Sequence, residues 1–362
     1  MGERHLEEVD VELGRAIGRP RTVLDAGSGR EHGGKVARNK GADVVRIEND
    51  ASAGALGDRK FDLVLLGDVL GHSRSPFDVM ERFLPFVEDG GHVIVSLPDA
   101  RRTAIELVER AHLELLWVRP ALVVARKRPV GRKLSLTVGM ISMNEENAVG
   151  GVLDDIKKHA PEAEILLVDS SKDRTPEIAE GRGARVVRQV PPRGYGPAMD
   201  RLLYEAKTDV ILTMDCDGTY PADRILDLHR MIEDGADLVN GTRTHHRPDA
   251  MPLANFVANR VFAGAAHVLH GIPTTDVHSG MRAYRTSMLR GIDVDPKGPA
   301  LPVELLVVPA RQGYRIIEVD IAYLERIGNT TLQRFDSTKW TFKRLLRATV
   351  GQRVRRDRVR IL

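Results

Sequence analysis

Short apolar runs alternate with helical stretches along this chain of 362 residues. Apolar runs bounded by turn residues, with a segment of helical periodicity between successive runs, are typical of βαβ units. Strands connected in this way lie parallel in a sheet, and helices cover its faces. The alternation therefore predicts an α/β protein built on parallel sheets.

A basic segment that contains Pro and Gly, residues 126–133, interrupts the alternation. The length of the chain suits two domains, and each half is long enough to bury a full core. We therefore expect a linker here between two α/β domains. The predicted divisions are a first domain at 1–128, a linker at 129–133, a second domain at 134–338 and a basic tail at 339–362.

The positions of the apolar runs place the individual strands. In the first half, strands are expected at 22–25, 42–47, 61–66 and 92–97, with a hairpin at 114–126. In the second half, strands are expected at 134–141, 164–168, 184–188, 209–214 and 236–240. Helices are expected at 147–159, from Thr175 onward and at 221–233, with Pro176 at a position that the first turn of a helix tolerates.

Charge, cysteine content and hydropathy limit the functions open to this chain. The net charge is +3, which is too small to indicate a nucleic-acid partner. The single cysteine, Cys216, cannot form an intrachain disulfide, and this is typical of a reducing compartment. The N-terminus shows no apolar signal segment, and no run reaches the ~18 uninterrupted apolar residues of a membrane-spanning helix. We therefore expect a cytoplasmic protein without a transmembrane helix.

The apolar run 210–214 leads directly into Asp215 and Asp217. In an extended segment, residues spaced i and i+2 point their side chains to the same face. Two carboxylates at the end of a buried strand suit Mg²⁺, which is usually bound by one or two carboxylates together with substrate phosphates. Cys216 points to the opposite face and is expected to pack in the core. The alternative is that the two carboxylates only cap the strand and open a turn.

Several further segments follow one another in a characteristic order in the second half. They lie at 140–147, 165–175, 194–196, 215–218, 275–284, 302–306 and 323–328. In order and spacing they resemble the family 2 glycosyltransferases with the GT-A fold, and within that family the dolichyl- or polyprenyl-phosphate sugar transferases. The resemblance covers about residues 134–349 and depends on the order of the segments, since none of them is decisive alone.

The resemblance implies an inverting hexosyltransferase. Its donor would be a nucleotide-diphosphate sugar, with UDP or GDP as the nucleotide, and its cofactor would be Mg²⁺ or Mn²⁺. The cation would offset the negative charge that builds on the diphosphate as the glycosidic bond breaks. The expected acceptor is a polyprenyl phosphate at the cytoplasmic face of a membrane. Two alternatives are a transferase with a soluble alcohol acceptor and a sugar-nucleotide sensor without catalysis.

Positions that match the family segments supply the expected site residues. The metal ligands are Asp215 and Asp217, and the donor contacts are Asn144, Glu145, Asp169, Gly194, Gly196, Asp215, Arg243 and Arg326. Asp169 ends a strand, where open α/β sheets bind ligands, and is expected to face the base or ribose. Gly194 and Gly196 allow a bound group to approach the backbone closely. Arg243 and Arg282 are expected to hold phosphate oxygens with planar guanidinium groups, or else to form structural ion pairs.

Catalysis at the acceptor is expected to involve Asp276 and Glu304, together with Arg282. A phosphate acceptor is already anionic at neutral pH, because its second pKa is about 6. An alcohol acceptor needs a general base instead. Whether the site needs a general base therefore depends on whether the acceptor is a phosphate or an alcohol. Arg326 is a candidate clamp for an acceptor phosphate, with a surface salt bridge as the alternative.

The C-terminal tail carries nine Lys and Arg residues against one acid from residue 339 onward. Apolar residues are interleaved with these cations at helical spacing: Trp340, Phe342, Leu345 and Leu346 lie among Lys339, Lys343, Arg344 and Arg347. An apolar stripe edged by cations suits an anionic membrane surface. We therefore expect peripheral membrane attachment, with a helix packed on the domain as the alternative. The apolar stretch 253–272 is a second candidate, for the path of a lipid acceptor.

Segments 23–29, 61–72 and 88–96 of the first half carry a glycine loop and two later strands. They resemble the class I methyltransferases, which would make both domains Rossmann-like and implies S-adenosylmethionine as a cofactor, with Glu48 at its ribose. Two departures count against that cofactor. Glu31 stands where a glycine is usual, and only 12 residues separate Glu48 from Phe61. The alternatives are methyl transfer, in a bifunctional enzyme or as its main activity, and a shortened docking or regulatory domain.

Overall fold

The chain forms two compact units in a computed structural model, residues 1–132 and residues 133–362. The structure describes residues 20–27, 41–47, 54–71, 73, 75–97, 101–111, 113–119, 122–128, 133–328, 334–347 and 359–361. The division between the units falls inside the basic segment in which we expected a linker. Each unit has its own sheet.

The first unit is built on a six-stranded sheet in the order β2-β1-β3-β4-β6-β5. Its strands are β1 Thr22–Ala26, β2 Asp43–Ile47, β3 Phe61–Leu66, β4 Val87–Ser96, β5 Glu114–Arg119 and β6 Leu122–Arg126. Its helices are α1 Asp68–Gly71, α2 Pro76–Phe83 and α3 Arg101–Arg110, with a 3-10 turn at Leu84–Phe86. The first four strands are parallel, and β5 and β6 form the antiparallel hairpin that the sequence predicted.

The short connection between β2 and β3 leaves β2 at the edge of this sheet. Residues 54–60 form no strand, and within the described residues no strand pairs with the outer side of β2. This agrees with the 12 residues counted between Glu48 and Phe61. Residues 28–29 of the glycine loop, Glu31 and Glu48 lie outside the described residues.

The second unit is built on an eight-stranded sheet. Its strands are β7 Leu136–Ser142, β8 Glu164–Asp169, β9 Arg185–Arg188, β10 Val210–Thr213, β11 Leu238–Thr242, β12 Arg282–Arg285, β13 Ile316–Asp320 and β14 Val359–Ile361. Its helices are α4 Val149–His159, α5 Thr175–Gly181, α6 Tyr195–Glu205, α7 Ile225–Glu233, α8 Leu253–His270, α9 Thr286–Gly291, α10 Leu301–Gln312 and α11 Arg334–Arg347. A 3-10 turn at Ala222–Arg224 precedes α7.

The strand order of the second unit is β14-β13-β11-β12-β10-β7-β8-β9. Strand β12 runs antiparallel to both of its neighbours, an exception in this sheet that the alternation of strands and helices did not indicate. The reason lies in the connection: β11 leaves the sheet near Thr242, and the chain passes through α8 and returns at Arg282, which pairs with Asn240 of β11. A chain that leaves and re-enters at the same edge must run in the opposite direction.

Apolar side chains explain why these elements pack as they do. Strands β8 and β10 are almost completely buried, as expected for strands of a sheet that is covered on both faces. Helix α10 begins with Pro302 in its first turn, where a missing amide costs nothing, and it is buried on nearly every side. Helix α8 ends at His270, and the next residue, Gly271, has a φ of 75° that suits a left-handed cap. No helix in the described part of the chain is both long and apolar enough to cross a bilayer.

Candidate functional site

The carboxyl ends of β7, β8 and β9 place three polar residues in one row. Ser142 pairs in register with Asp169, and Asp169 pairs with Arg188. Ser142 donates a hydrogen bond of 2.6 Å to Asp169 Oδ1, and Arg188 Nη1 contacts Asp169 Oδ2. Register partners point to the same face of a sheet, which brings these side chains together. The row lies where open α/β sheets bind their ligands.

Asp169 is fully buried, and its carboxylate also accepts hydrogen bonds from the amide and hydroxyl of Ser171. Arg188 donates a second hydrogen bond to the Ser171 carbonyl and is 42% exposed. The accessible end of this group is therefore Arg188 and not the carboxylate that the sequence indicated. The sequence does contain a signal for Arg188 as a site residue, because it is the last residue of the strand predicted at 184–188 and ligands bind at the carboxyl ends of such strands.

Asp215 and Asp217 lie just beyond β10, with Met214 between the strand and Asp215, and Cys216 is buried in the core as predicted. Asp217 Oδ1 accepts hydrogen bonds from the amide and the hydroxyl of Thr219, and Arg326 Nη1 lies 2.8 Å from Oδ2. Within the described residues, the carboxylate of Asp215 has no hydrogen bond or ion pair. Burial, and then the charge of Asp217, raise the pKa of Asp215 to about 7.

Arg326 joins Asp217 to Glu145, a residue distant in sequence. Its Nη2 donates a hydrogen bond of 2.9 Å to Glu145 Oε1. Burial raises the pKa of Glu145, and the charge of Arg326 opposes that shift. The amides of Leu324 and Ile327 donate to the carbonyls of Thr219 and Asp217 and fix this segment of chain over the loop that follows β10. The structure thus brings three carboxylates and one arginine of the expected site together.

Arg243 and Asp276 form a second pair of expected site residues. Arg243 Nε and Nη2 lie 2.7 Å and 3.1 Å from the two carboxylate oxygens of Asp276. Burial acts to raise the pKa of Asp276, but the charge of Arg243 and its hydrogen bonds outweigh burial, and the pKa is lowered. The guanidinium also lies 5.7 Å from the ring centre of Tyr220 and 5.3 Å from that of Tyr323. This arrangement favours an ion pair with Asp276 over a free phosphate clamp.

Arg282 lies in a polar row inside the sheet. Asn240 pairs in register with Arg282 on one side and with Glu318 on the other. Arg282 Nε donates to Asn240 Oδ1 at 2.7 Å, and its two other nitrogens donate to the carbonyls of Val277 and Pro302. The side chain is 0% exposed. These contacts favour a structural role for Arg282, which supports the segment that carries Asp276, over the phosphate contact that we expected.

Glu304 lies in helix α10 and is also buried. Its Oε1 accepts a hydrogen bond of 2.5 Å from Arg344 of α11, and its Oε2 accepts from the amide of Asp295. Arg344 also donates to the carbonyl of Lys297. These contacts anchor α11 and the loop at 295–298, and they favour a structural role for Glu304 over contact with an acceptor.

The remaining expected donor contacts are Asn144 and Gly194, which lie in loops, and Gly196, which lies in the first turn of α6. Asn144 has a positive φ of 61°, and it is held by hydrogen bonds that join it to Ser171 and Lys172. Gly194 has a φ of 94° and precedes α6. A Cβ atom at Gly196 would collide with the carbonyls of Pro296 and Gly298. The close approach expected of Gly196 is therefore made by the protein's own backbone.

A divalent cation fits the chemistry of the donor set after β10. Asp215 and Asp217 offer hard oxygen ligands, and burial, followed by repulsion from the charge of Asp217, raises the pKa of Asp215. Nearby positive charge would remove that repulsion. The described residues contain no cluster of three or more His, Cys, Asp or Glu side chains able to hold a metal. Two carboxylates are fewer than such a cluster, so the phosphates of a substrate would have to supply further ligands to a cation here.

Both units match known protein families. Residues 137–292 match the sequence model described as Glycosyl transferase family 2, and residues 4–127 match one described as a Methyltransferase domain. A dolichyl-phosphate hexose transferase of Haloferax volcanii is 40% identical over 221 residues, which cover 61% of this chain and 96% of that protein. An undecaprenyl-phosphate mannosyltransferase of Micrococcus luteus is 32% identical over 200 residues, which cover 51% and 81%.

The second unit also resembles solved structures in its fold. The crystal structure of a mycobacterial protein superposes with a TM-score of 0.50 at 22% identity, over 60% of this chain and 76% of that chain. The first unit has the Rossmann-like sheet of the methyltransferase domains, and the second has the GT-A fold. This chain belongs, through its second unit, to glycosyltransferase family 2 and is a sugar-transferring enzyme.

Proposed function

We propose that the second unit transfers a hexosyl group, with inversion, from a nucleotide-diphosphate sugar to a polyprenyl phosphate. The observation that carries the proposal is the pair Asp215 and Asp217 at the end of β10, close to Glu145 and Arg326. Similarity to a dolichyl-phosphate hexose transferase along nearly all of that protein supports the class of acceptor.

The donor is proposed to lie along the carboxyl edge of the sheet. Arg188, held by Asp169, offers guanidinium donors at the end where we place the base. Asp215 and Asp217 would hold Mg²⁺ or Mn²⁺ at the other end. The cation would supply positive charge to the diphosphate as it leaves the sugar. The residues of the chain orient the donor between these two points.

The acceptor side of the site supports a phosphate over an alcohol. A general base works best when its pKa lies near the operating pH. The pKa of Asp276 is instead lowered, and its carboxylate is held by Arg243. The carboxylate of Glu304 is held by Arg344. A phosphate acceptor needs no base, because it is already anionic at neutral pH.

We also propose that α11 and the tail attach the protein to an anionic membrane surface. In the described part of α11, Phe342 is 44% exposed and Leu346 is 59% exposed, with Lys343 exposed beside them. Phe342 packs on Phe262 of α8, a helix that exposes several apolar side chains of its own. Exposed apolar groups edged by basic residues suit a surface of anionic lipid. The basic residues Arg353, Arg355, Arg356 and Arg358 of the tail lie outside the described residues.

The proposal is tested with full-length protein, a panel of UDP- and GDP-sugars, Mn²⁺, and polyprenyl phosphate in anionic vesicles. We expect Mn²⁺-dependent transfer to the lipid and flotation of the protein with anionic but not neutral vesicles. The double substitution Phe342→Asp and Leu346→Asp is expected to reduce flotation. Transfer to soluble alcohols alone would contradict the acceptor, and equal flotation of the double variant would contradict the attachment surface.

For the first unit we propose a docking or regulatory role without methyl transfer. The supporting observation is the sheet of the first unit, in which no described strand pairs with the outer side of β2. Isothermal titration of the full-length protein with millimolar S-adenosylmethionine is expected to release no heat of binding. Saturable binding would contradict this role and favour a bifunctional enzyme.

A further inference from the structure

Arg326 already supplies positive charge to the carboxylate that the proposed metal would use. Its Nη1 lies 2.8 Å from Asp217 Oδ2, and its Nη2 lies 2.9 Å from Glu145 Oε1. The other oxygen of Asp217 accepts the amide and hydroxyl of Thr219. Both oxygens of Asp217 are therefore engaged by donors of the protein itself.

The backbone holds Arg326 in this place. The flanking amides of Leu324 and Ile327 donate to the carbonyls of Thr219 and Asp217, each at 2.9 Å. The side chain of Ile327 packs on Gly218, where a Cβ atom would lie 3.2 Å from it. The contact between Arg326 and Asp217 is thus part of a docked segment and not a chance meeting of two surface side chains.

We propose that Arg326 is a resident counter-cation of Asp217, and that it competes with the divalent cation for this carboxylate. The inference rests on the proposed metal site at Asp215 and Asp217. A cation bound to Asp217 Oδ2 would stand beside a guanidinium of the same sign in a largely buried place, and like charges so close repel strongly. Metal binding therefore requires the guanidinium to turn away from Asp217.

Because Arg326 must leave Asp217 before the metal binds, metal binding precedes contact of Arg326 with the acceptor. The hydrogen bonds of Leu324 and Ile327 use backbone atoms, so the side chain can turn away while the segment stays docked. A guanidinium released in this way is free to hold an anionic acceptor beside the loaded donor. Arg326 thus limits metal affinity in the empty site and is exposed for the acceptor only after the metal has bound.

The test is a titration of the full-length protein with Mn²⁺, without a nucleotide and with UDP or GDP present, in which electron paramagnetic resonance measures the free ion. Arg326→Gln removes the competing charge and is expected to bind Mn²⁺ about tenfold more tightly than the unchanged protein. Arg326→Met is measured as well, so that the result does not depend on the folding of one variant. Arg326→Lys keeps the charge and is expected to stay close to the unchanged protein.

Arg174→Gln is the matched control, because Arg174 is an exposed arginine paired with Glu146, the residue next to Glu145. Its Mn²⁺ affinity is expected to be unchanged. Unaltered affinity in both neutral variants of Arg326, with binding lost in Asp215→Asn, would overturn the competition and leave the metal site standing. Absence of Mn²⁺ binding in every protein, both without a nucleotide and with UDP or GDP present, would overturn the metal site, and the competition with it.

Discussion

Replacing Asp215 with Asn is expected to lower the rate of metal-dependent sugar transfer by about 10²–10³-fold, the usual cost of losing one group that stabilises charge in a transition state. Asp215 is the carboxylate of the pair that has no partner within the described residues. The substitution preserves shape and removes one negative ligand of the cation. The measurement is the initial rate of transfer at saturating donor and Mn²⁺.

The unfolding temperature of Asp215→Asn distinguishes a loss of transfer activity at the site from misfolding of the variant. The pKa of Asp215 is raised from 3.8 to about 7, so the folded chain holds this proton more tightly than the unfolded chain does. Ionisation of Asp215 therefore lowers stability as the pH rises from 3.8 to about 7. At pH 8, Asp215→Asn is expected to unfold at a temperature no lower than that of the unchanged protein. Addition of Mn²⁺ is expected to raise the unfolding temperature of the unchanged protein and not that of Asp215→Asn.

Asp154→Asn is the control for this prediction. Asp154 is an exposed residue of α4 that pairs with Arg182, and it lies outside the site. Its replacement is expected to leave both the rate and the metal response as they are. Full metal-dependent turnover in Asp215→Asn would remove Asp215 from the site and would contradict the proposed function.

Replacing Arg344 with Met is expected to destabilise the second unit by about 3–5 kcal/mol. The loss would leave the buried carboxylate of Glu304 without its charged partner, which lies 2.5 Å away in the structure. Arg344 also donates to the carbonyl of Lys297, so the loop at 295–298 would lose an anchor. The measurement is the thermal transition of the second unit in the full-length protein.

Lys343→Met is the matched control, because Lys343 is the exposed neighbour of Arg344 on the same helix. Surface substitutions of this kind change stability by about 0.5 kcal/mol or less. Adding Glu304→Gln to Arg344→Met is expected to restore part of the loss, since the buried negative charge is then absent. Equal stability of Arg344→Met and Lys343→Met would contradict the structural role that we assign to Glu304.

Predictions that depend on local pattern agree well with the structure. The strand predicted at 61–66 is β3 without change, and the predicted hairpin at 114–126 is formed by β5 and β6. Cys216 packs in the core between two carboxylates, as the alternation of side chains in an extended segment requires. These features depend on the period of hydrophobic residues, which a sequence displays directly.

Predictions about partners agree less well, because partners are distant in the chain. Arg326 and Glu145 are 181 residues apart, and Arg282 and Asn240 are 42 apart. A segment that matches a family predicts which residue lies at the sheet edge. It does not predict which charged side chain from another part of the chain will pair with that residue. Arg282 was expected to hold a phosphate or to form a structural ion pair, whereas in the structure it donates to Asn240 and to two backbone carbonyls.

The sequence by itself determined that this protein has two α/β halves and that one strand delivers two carboxylates to a sheet edge, because hydrophobic period and residue order are local properties. Only the tertiary structure decided that β12 runs antiparallel, that Arg326 covers Asp217 and that Glu304 is neutralised by Arg344. Each of these depends on which groups meet when distant segments fold. The free energy of a buried charge is set by such neighbours and not by its place in the chain.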